Sequence, residues 1–282
     1  MLSAGCILDV DFHDRLLLST LLPIGVLAIL WLTYLIAKRR NQGRGEEAMA
    51  TVAQKHVSMA ILITFAIYSS VSSVIFSMFA CDQLDDGRNL LRADYRLECD
   101  SRKHHRLMWY AGFMVFVYPV GIPLTYAALL FRNKATLWEG GDKRFNDRQL
   151  QALNDLWEPY RPKLFYFEVI ESLRRIILTG LVVFIYPNSA AQIAITLAIA
   201  VGFLWTAEAL QPYVSRHQMW LSRAGHFVVM TSMYVALLLK VDVSSERQES
   251  QQFFSGFIIA THCVMAIGVL AEAFILSGCL DG

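Results

Sequence analysis

The stretch that decides the fold is LLLSTLLPIGVLAILWLTYLIA, residues 16–37, which runs directly into Lys38, Arg39 and Arg40. It contains no charged side chain. An α-helix needs about 20 mostly apolar residues to cross a hydrocarbon core roughly 30 Å thick. A basic cluster directly after such a run is typical of the cytosolic end of a span. The stretch therefore predicts a transmembrane helix that enters the bilayer from outside.

Six further apolar blocks follow, and the pattern predicts an all-α fold: a polytopic membrane helix bundle of about seven transmembrane helices in a single domain, 1–282. The predicted spans are 16–37, 57–79, 107–131, 164–186, 189–210, 224–239 and 253–276. The composition agrees, because 17% charged residues is well below the quarter or so found in soluble domains. The net charge of +1 gives no reason to expect a nucleic-acid partner, and the expected partner is the lipid bilayer.

The distribution of basic residues predicts the orientation. With the N-terminus outside and the C-terminus inside, the inner segments hold 14 Lys and Arg and the outer segments hold 9. This bias places the 80–106 loop on the extracellular side and the 132–163 loop on the cytosolic side. The expected location is an integral position in the plasma membrane.

The extracellular loop contains Cys81 and Cys99, and on an oxidising side they are expected to form a disulfide. Two free thiols beside the membrane are the alternative. His104 and His105 follow, but no Cys or His stands at the spacing of a zinc site. The sequence therefore predicts no metal and no cofactor.

The cytosolic loop is expected to contain a short amphipathic helix, lying on the bilayer or on the bundle. Asn146 or Asp147 can cap it, and apolar residues then recur at helical spacing up to Trp157. Pro159, Tyr160, Arg161 and Pro162 follow and predict a stiff elbow, because two prolines three residues apart forbid a continuous helix. Tyr160 and Arg161 suit the headgroup layer.

The third span carries Pro119, Gly121 and Pro123 within five residues. Prolines inside a helix remove backbone donors and bend it. The pattern predicts either a hinge or a packing feature, and the sequence does not separate the two.

The fourth block contains Glu168, Glu171, Arg174 and Arg175 within one 120° arc of a helix. Because only 11 uncharged residues follow, some of these charges are expected near hydrocarbon depth, where a charge costs at least about 2.5–3.5 kcal/mol. We expect Glu171 to pair with Arg175, four residues later. The cluster is interpreted either as an ion pathway or switch, or as a structural ion pair that fixes helix rotation.

Several longer stretches carry a resemblance to a known family. They are FHDRLLLSTLLP (12–23), CDQLDDG (81–87) with LRAD (91–94) and Cys99, YPVGIP (118–123), EPYRP (158–162) with FEVIESLRR (167–175), QPY (211–213) and KVD (240–242). The chain resembles, from about residue 6 to 243, the TRP-like C-terminal transmembrane region of large oomycete, algal and other protist surface proteins. The resemblance implies a multi-span membrane module grouped with TRP-like or polycystin-like channels or with receptor-like proteins.

Three functions are compatible with these observations. The first is a TRP-like ion-channel module, with the pore built by a homo-oligomer or with a partner membrane subunit. The second is a seven-span receptor-like signal transducer, which rests on the number of spans alone. The third, a membrane-embedded enzyme, lacks any histidine–acid constellation, nucleophile elbow or phosphate loop, and we expect no enzymatic activity.

Overall fold

The structure, a computed structural model, describes residues 11–41, 46–187, 189–241, 256–264 and 266–268. The chain is mostly helical, at 79% of the structure. Within the described ranges, five helices are long and apolar enough to cross a membrane: Phe12–Arg40, Glu47–Ser77, Arg102–Arg132, Ala190–Leu210 and Arg216–Lys240. These helices are compatible with the predicted multi-pass membrane protein.

The elements follow one another in a simple order. The helices are α1 (Phe12–Arg40), α2 (Glu46–Ser77), α3 (Arg102–Val115), α4 (Gly121–Arg132), α5 (Lys134–Glu139), α6 (Asp142–Asn146), α7 (Arg148–Gln151), α8 (Asn154–Trp157), α9 (Phe167–Thr179), α10 (Ala190–Leu210) and α11 (Arg216–Lys240). The strands β1 (Cys81–Gln83), β2 (Asn89–Leu91) and β3 (Asp94–Glu98) lie between α2 and α3.

The prediction of a membrane span over 164–186 is wrong. That stretch forms α9, which has 13 residues and is about 20 Å long, followed by a 3₁₀ turn over Leu181–Phe184. The helix ends at Gly180, where the buried ring of Phe76 occupies the space that a Cβ would need. Of the predicted span 253–276, residues 256–264 and 266–268 are helical and the rest lies outside the described residues.

The chain divides into two compact units. The first unit comprises Met1–Glu158 and Pro162–Val183, and the second comprises Pro159–Arg161 and Phe184–Gly282. The first unit packs α1, α2, α3, α4 and α9 around a core that includes Leu16, Tyr68, Ile75, Tyr118 and Leu130. The second unit contains the hairpin of α10 and α11.

The 80–106 loop is a small folded element. Its three strands form an antiparallel sheet in the order β1-β2-β3, with Cys81 opposite Leu91 and Leu90 opposite Glu98. The β1–β2 turn closes at Gly87, whose positive φ of 85° suits glycine. Leu91 is fully buried in the core of the first unit, and this burial holds the sheet against the helices. Sequence reasoning missed these strands because they are only three to five residues long.

The 132–163 segment forms several short helices rather than the single amphipathic helix predicted for it. It forms four short helices, α5 to α8, and Asp147 accepts a hydrogen bond from the Leu150 amide at the start of α7. Leu150, Leu156 and Trp157 are fully buried. Of the two predicted positions, the structure therefore supports packing on the bundle, because the apolar side chains are covered by protein.

The third span is continuous through its prolines. Residues Phe116–Val120 form a π-helical turn between α3 and α4, which accommodates Pro119 because a wider turn does not require its missing N–H. The turn brings the Phe116 carbonyl oxygen within 2.7 Å of the position that a Cβ on residue 121 would occupy, so Gly121 is required there. Pro123 lies in the first turn of α4, where proline is tolerated.

Candidate functional site

Two ion pairs lie on α9. The Arg174 guanidinium donates hydrogen bonds from Nε and Nη2 to Glu171 Oε2, at 2.9 and 2.7 Å. Arg175 Nη2 lies 3.5 Å from Glu168 Oε1. The structure pairs Glu171 with Arg174, three residues later, and Glu168 with Arg175, seven residues later. The expected Glu171–Arg175 pair stays a prediction.

The carboxylates are the more deeply buried members of this charge cluster, which we define as Glu168, Glu171, Arg174 and Arg175. The Glu168 and Glu171 side chains are 5% and 6% exposed, whereas Arg174 and Arg175 are 17% and 28% exposed. The Arg175 guanidinium carbon lies 4.6 Å from the ring centre of Phe65 on α2, close enough for a cation–π interaction. The cluster is therefore anchored to α2 as well as to its own helix.

Polar side chains from α2 and α4 surround the same region. Tyr68 Oη donates a hydrogen bond to the Ser172 carbonyl at 3.1 Å, and Thr64 and Tyr126 share a hydrogen bond of 2.8 Å. Ser72 and Ser172 are fully buried, and neither hydroxyl has a hydrogen-bond partner in the described part of the chain. The first unit therefore contains a polar interior beside α9, with two carboxylates balanced by two guanidinium groups.

A second cluster lies where the sheet meets the helices. Cys81 and Cys99 form a disulfide with their Cα atoms 6.5 Å apart. His13 and His104 are each 1% exposed, and His13 Nε2 lies 3.4 Å from His104 Nδ1. Lys103 Nζ donates to Asp11 at 3.0 Å across the same junction. Sequence reasoning missed the histidine pair because its members are 91 residues apart and only the fold brings them together.

Hydrogen bonds of charged side chains also hold the sheet segment together and hold it to α1. The Arg92 guanidinium donates two hydrogen bonds to Asp82 Oδ1, at 3.0 and 2.6 Å. Asp94 accepts the backbone N–H of Phe12, at the start of α1, at 3.3 Å. A hydrogen bond from the Arg96 side chain holds the pKa of Asp94 below its ordinary value.

The residues of the proline elbow contact Pro212 and Tyr213. Tyr160 pairs with Tyr213 as an isolated antiparallel bridge, and the Arg161 amide donates to the Pro212 carbonyl at 2.8 Å. The Tyr160 side chain is buried, at 3% exposure, against Tyr213 rather than free to face lipid headgroups. Arg161 is exposed, as a headgroup-facing residue needs to be.

An open cavity of about 740 Å³ lies in the second unit, beside the start of α11. Its basic and aromatic lining includes Arg161, Tyr213, Arg216, His217, Trp220 and Arg223. Arg223 is also paired with Glu208 on α10. Such a lining is typical of helix ends at the level of lipid headgroups.

Protein-family models, curated proteins and solved structures were all compared with this chain, and none of them matches it.

Proposed function

We propose that this chain is a TRP-like ion-channel-type module of the plasma membrane. The five apolar helices of membrane length in the described residues are compatible with a multi-pass membrane protein. The finer assignment rests on the charge cluster of α9, together with the resemblance carried by the sequence motifs.

The burial of the charge cluster is the observation that carries the proposal. Charged side chains within a bundle of apolar helices are energetically expensive, and membrane proteins that retain them commonly use them in ion pathways or gating. Here two carboxylates no more than 6% exposed lie on a short helix packed against α2 and α4. A purely structural role would require only one pair to fix the rotation of α9, whereas this helix carries two.

The division of the chain also supports a channel. In the first unit, α9 carries the charges and packs against α2 and α4. The second unit supplies a separate hairpin of long apolar helices, α10 and α11. A unit that holds charges and a unit that supplies long helices are the parts that a gated pore needs, and the pore itself would be built by a homo-oligomer.

The connection after α11 bears on the ion path. Residues 242–252, which include Asp242, Glu246 and Glu249, lie outside the described residues. The proposal therefore assigns no filter to this segment. The receptor alternative depended on seven spans, and the described residues supply five candidates, so no structural observation favours it over the channel.

Ion flux from reconstituted vesicles tests the proposal. The purified full chain is placed in liposomes, and K⁺ and Na⁺ flux is recorded for the wild type and for the double variant Glu171→Gln/Arg174→Gln. The variant leaves the net charge of the pair at zero but removes both of its charges. We expect it to fold and to conduct roughly tenfold less than the wild type, a change of about 1.4 kcal/mol.

The matched control is Glu208→Gln/Arg223→Gln, which removes an ion pair of the same chemistry that is exposed in the second unit. It should leave flux unchanged. Wild-type flux no greater than that of empty vesicles would contradict the channel proposal. A folded Glu171→Gln/Arg174→Gln variant with full flux would instead assign the cluster a structural role.

A further inference from the structure

The disulfide and His104 form one cluster, and His13 lies beside it, next to His104. The sulfur atoms of Cys81 and Cys99 and a ring nitrogen of His104 all lie within 4.8 Å of one another, and His13 faces His104 across 3.4 Å. His13 and His104 lie in the first turns of α1 and α3, Cys81 begins β1, and Cys99 directly follows β3. Two sulfurs and two imidazoles are the donor set of a Cys₂His₂ zinc site.

The distance between the two imidazole nitrogens fits a shared metal. With Zn–N bonds of about 2.0–2.1 Å and tetrahedral angles, two coordinating nitrogens lie about 3.3–3.4 Å apart. The 3.4 Å between His13 Nε2 and His104 Nδ1 matches this separation. A neutral hydrogen-bonded pair of histidines has the same separation, and titration with Co²⁺ distinguishes the two arrangements.

The outer nitrogens of the pair are also suited to metal binding. His13 Nδ1 and His104 Nε2 are buried and accept or donate no hydrogen bond among the described residues. When both inner nitrogens bind a metal, the outer nitrogens carry the protons. Asp11 Oδ2 lies 4.0 Å from His13 Nδ1, and a carboxylate behind a metal-binding histidine is a common way to orient the ring.

We propose that reduction of the Cys81–Cys99 disulfide converts this cluster into a zinc site formed by His13, Cys81, Cys99 and His104. A dithiol reductant supplies two electrons and two protons, becomes a cyclic disulfide itself and leaves Cys81 and Cys99 as thiols. Zn²⁺ then displaces both thiol protons and binds two thiolates and two neutral imidazoles. Reoxidation of the two thiolates to the disulfide by a disulfide oxidant, which is reduced to its dithiol, releases the zinc.

The site would have a structural consequence. In the oxidised chain the disulfide joins β1 to the residue that follows β3, and in the reduced chain the metal would join these two positions to the starts of α1 and α3. The prediction of no metal came from spacing along the sequence. The donors are separated by 68, 18 and 5 residues, so no zinc-site spacing is visible without the fold.

Cobalt binding tests this inference. The full chain, with Cys6, Cys263 and Cys279 changed to Ser, is reduced with dithiothreitol, desalted under nitrogen and titrated with Co²⁺. Tetrahedral thiolate-bound Co²⁺ gives intense visible bands and a thiolate-to-metal charge-transfer band, and Zn²⁺ added afterwards should displace it. We expect one metal ion per reduced chain and none in the oxidised chain.

Variants identify the ligands. His13→Ala and His104→Ala should each weaken Co²⁺ binding by about 100-fold or more, and Asp11→Asn by about 10-fold. The matched control is His105→Ala, because His105 is adjacent to His104 but its ring is bonded to the Ser101 carbonyl. This control should bind Co²⁺ as tightly as the wild type.

Three results would overturn the inference. They are a reduced wild-type chain that binds no Co²⁺, a weak octahedral spectrum without a thiolate band, and binding unchanged in folded His13→Ala or His104→Ala. The wild-type spectrum decides the question even if a histidine variant fails to fold. Circular dichroism of each variant separates loss of a ligand from loss of structure.

Discussion

Arg174 and Glu171, three residues apart on α9, are joined by two hydrogen bonds that converge on a single carboxylate oxygen. The neighbouring Arg175 faces a different carboxylate, Glu168, and the ring of Phe65. The two arginines therefore have separate environments although they are adjacent in sequence. Removing Glu171 should therefore affect Arg174, and removing Glu168 should affect Arg175.

The first prediction concerns these two ion pairs. Glu171→Gln should lower the apparent melting temperature in detergent by roughly 6–12 °C, because about 3 kcal/mol is lost when Arg174 is left without its partner at a buried position. Glu171→Gln/Arg174→Gln should recover at least about 1 kcal/mol of this loss, because no isolated charge remains.

The control for this double-mutant cycle combines one residue from each of the two ion pairs. Glu171→Gln/Arg175→Gln changes one member of each pair, so its effects should be additive. Coupling in the crossed variant with none in the Glu171–Arg174 variant would show that the pairing described above is wrong. Differential scanning fluorimetry of the wild type, the single variants Glu171→Gln, Arg174→Gln and Arg175→Gln, and the two double variants supplies all the values.

The second prediction concerns the end of α9. Gly180→Ala should destabilise the first unit by about 1–3 kcal/mol, because its methyl group would overlap the Phe76 ring. Adding Phe76→Leu should relieve the overlap and restore part of the loss. Thermal unfolding of the single and double variants measures both effects.

Gly112→Ala is the matched control for Gly180, since nothing lies within 4 Å of the position of its Cβ. In the interior of α3 alanine is favoured over glycine, so this variant should be as stable as the wild type or up to about 1 kcal/mol more stable. If Gly180→Ala is equally harmless, the contact with Phe76 does not terminate α9.

The third prediction concerns acid stability. The pKa of Asp94 is lowered from its ordinary value of 3.8 by the hydrogen bond from Arg96. Because the folded state favours the charged form, the stabilisation is fully present above pH 3.8 and is lost as the pH falls through the lower folded value. The melting temperature of Asp94→Asn should therefore be below that of the wild type at pH 6, and the difference should shrink as the pH falls below 3.8.

Asp85→Asn is the comparison for Asp94, because Asp85 is an exposed carboxylate in the turn before Gly87. Its melting temperature should follow that of the wild type throughout. A gap between wild type and Asp94→Asn that stays constant from pH 6 to pH 2.5 would mean that the Asp94 charge does not contribute to holding the sheet on α1.

The fourth prediction concerns orientation. After replacement of the native cysteines outside the disulfide by Ser, Asp85→Cys should react with an impermeant maleimide on intact cells, and Ala135→Cys should react only after permeabilisation. Both positions are exposed. Gly140 is unsuitable as a probe, because it is buried, has φ 70° and lies against Pro162. Labelling of position 135 on intact cells would reverse the orientation.

Much of the helical architecture was predictable from the sequence. The runs 16–37, 107–131 and 224–239 fall within candidate spans, and 57–79 and 189–210 extend beyond theirs by only two residues and one residue, because uninterrupted apolar length is a local property. The candidate site was predictable only in part. The four charges of α9 were identified from their shared arc, but their pairing was not, because it depends on where Phe65 of α2 lies.

The sequence by itself determined which segments are apolar enough to cross a membrane, where charges interrupt them and where proline bends the chain. Each of these depends on a few consecutive residues and needs no knowledge of neighbours in space. Only the tertiary structure decided that α9 stops short at Gly180 against Phe76, and that His13 meets His104 beside a disulfide. These features depend on side chains far apart in sequence, and such contacts form only when the helices and the sheet pack together.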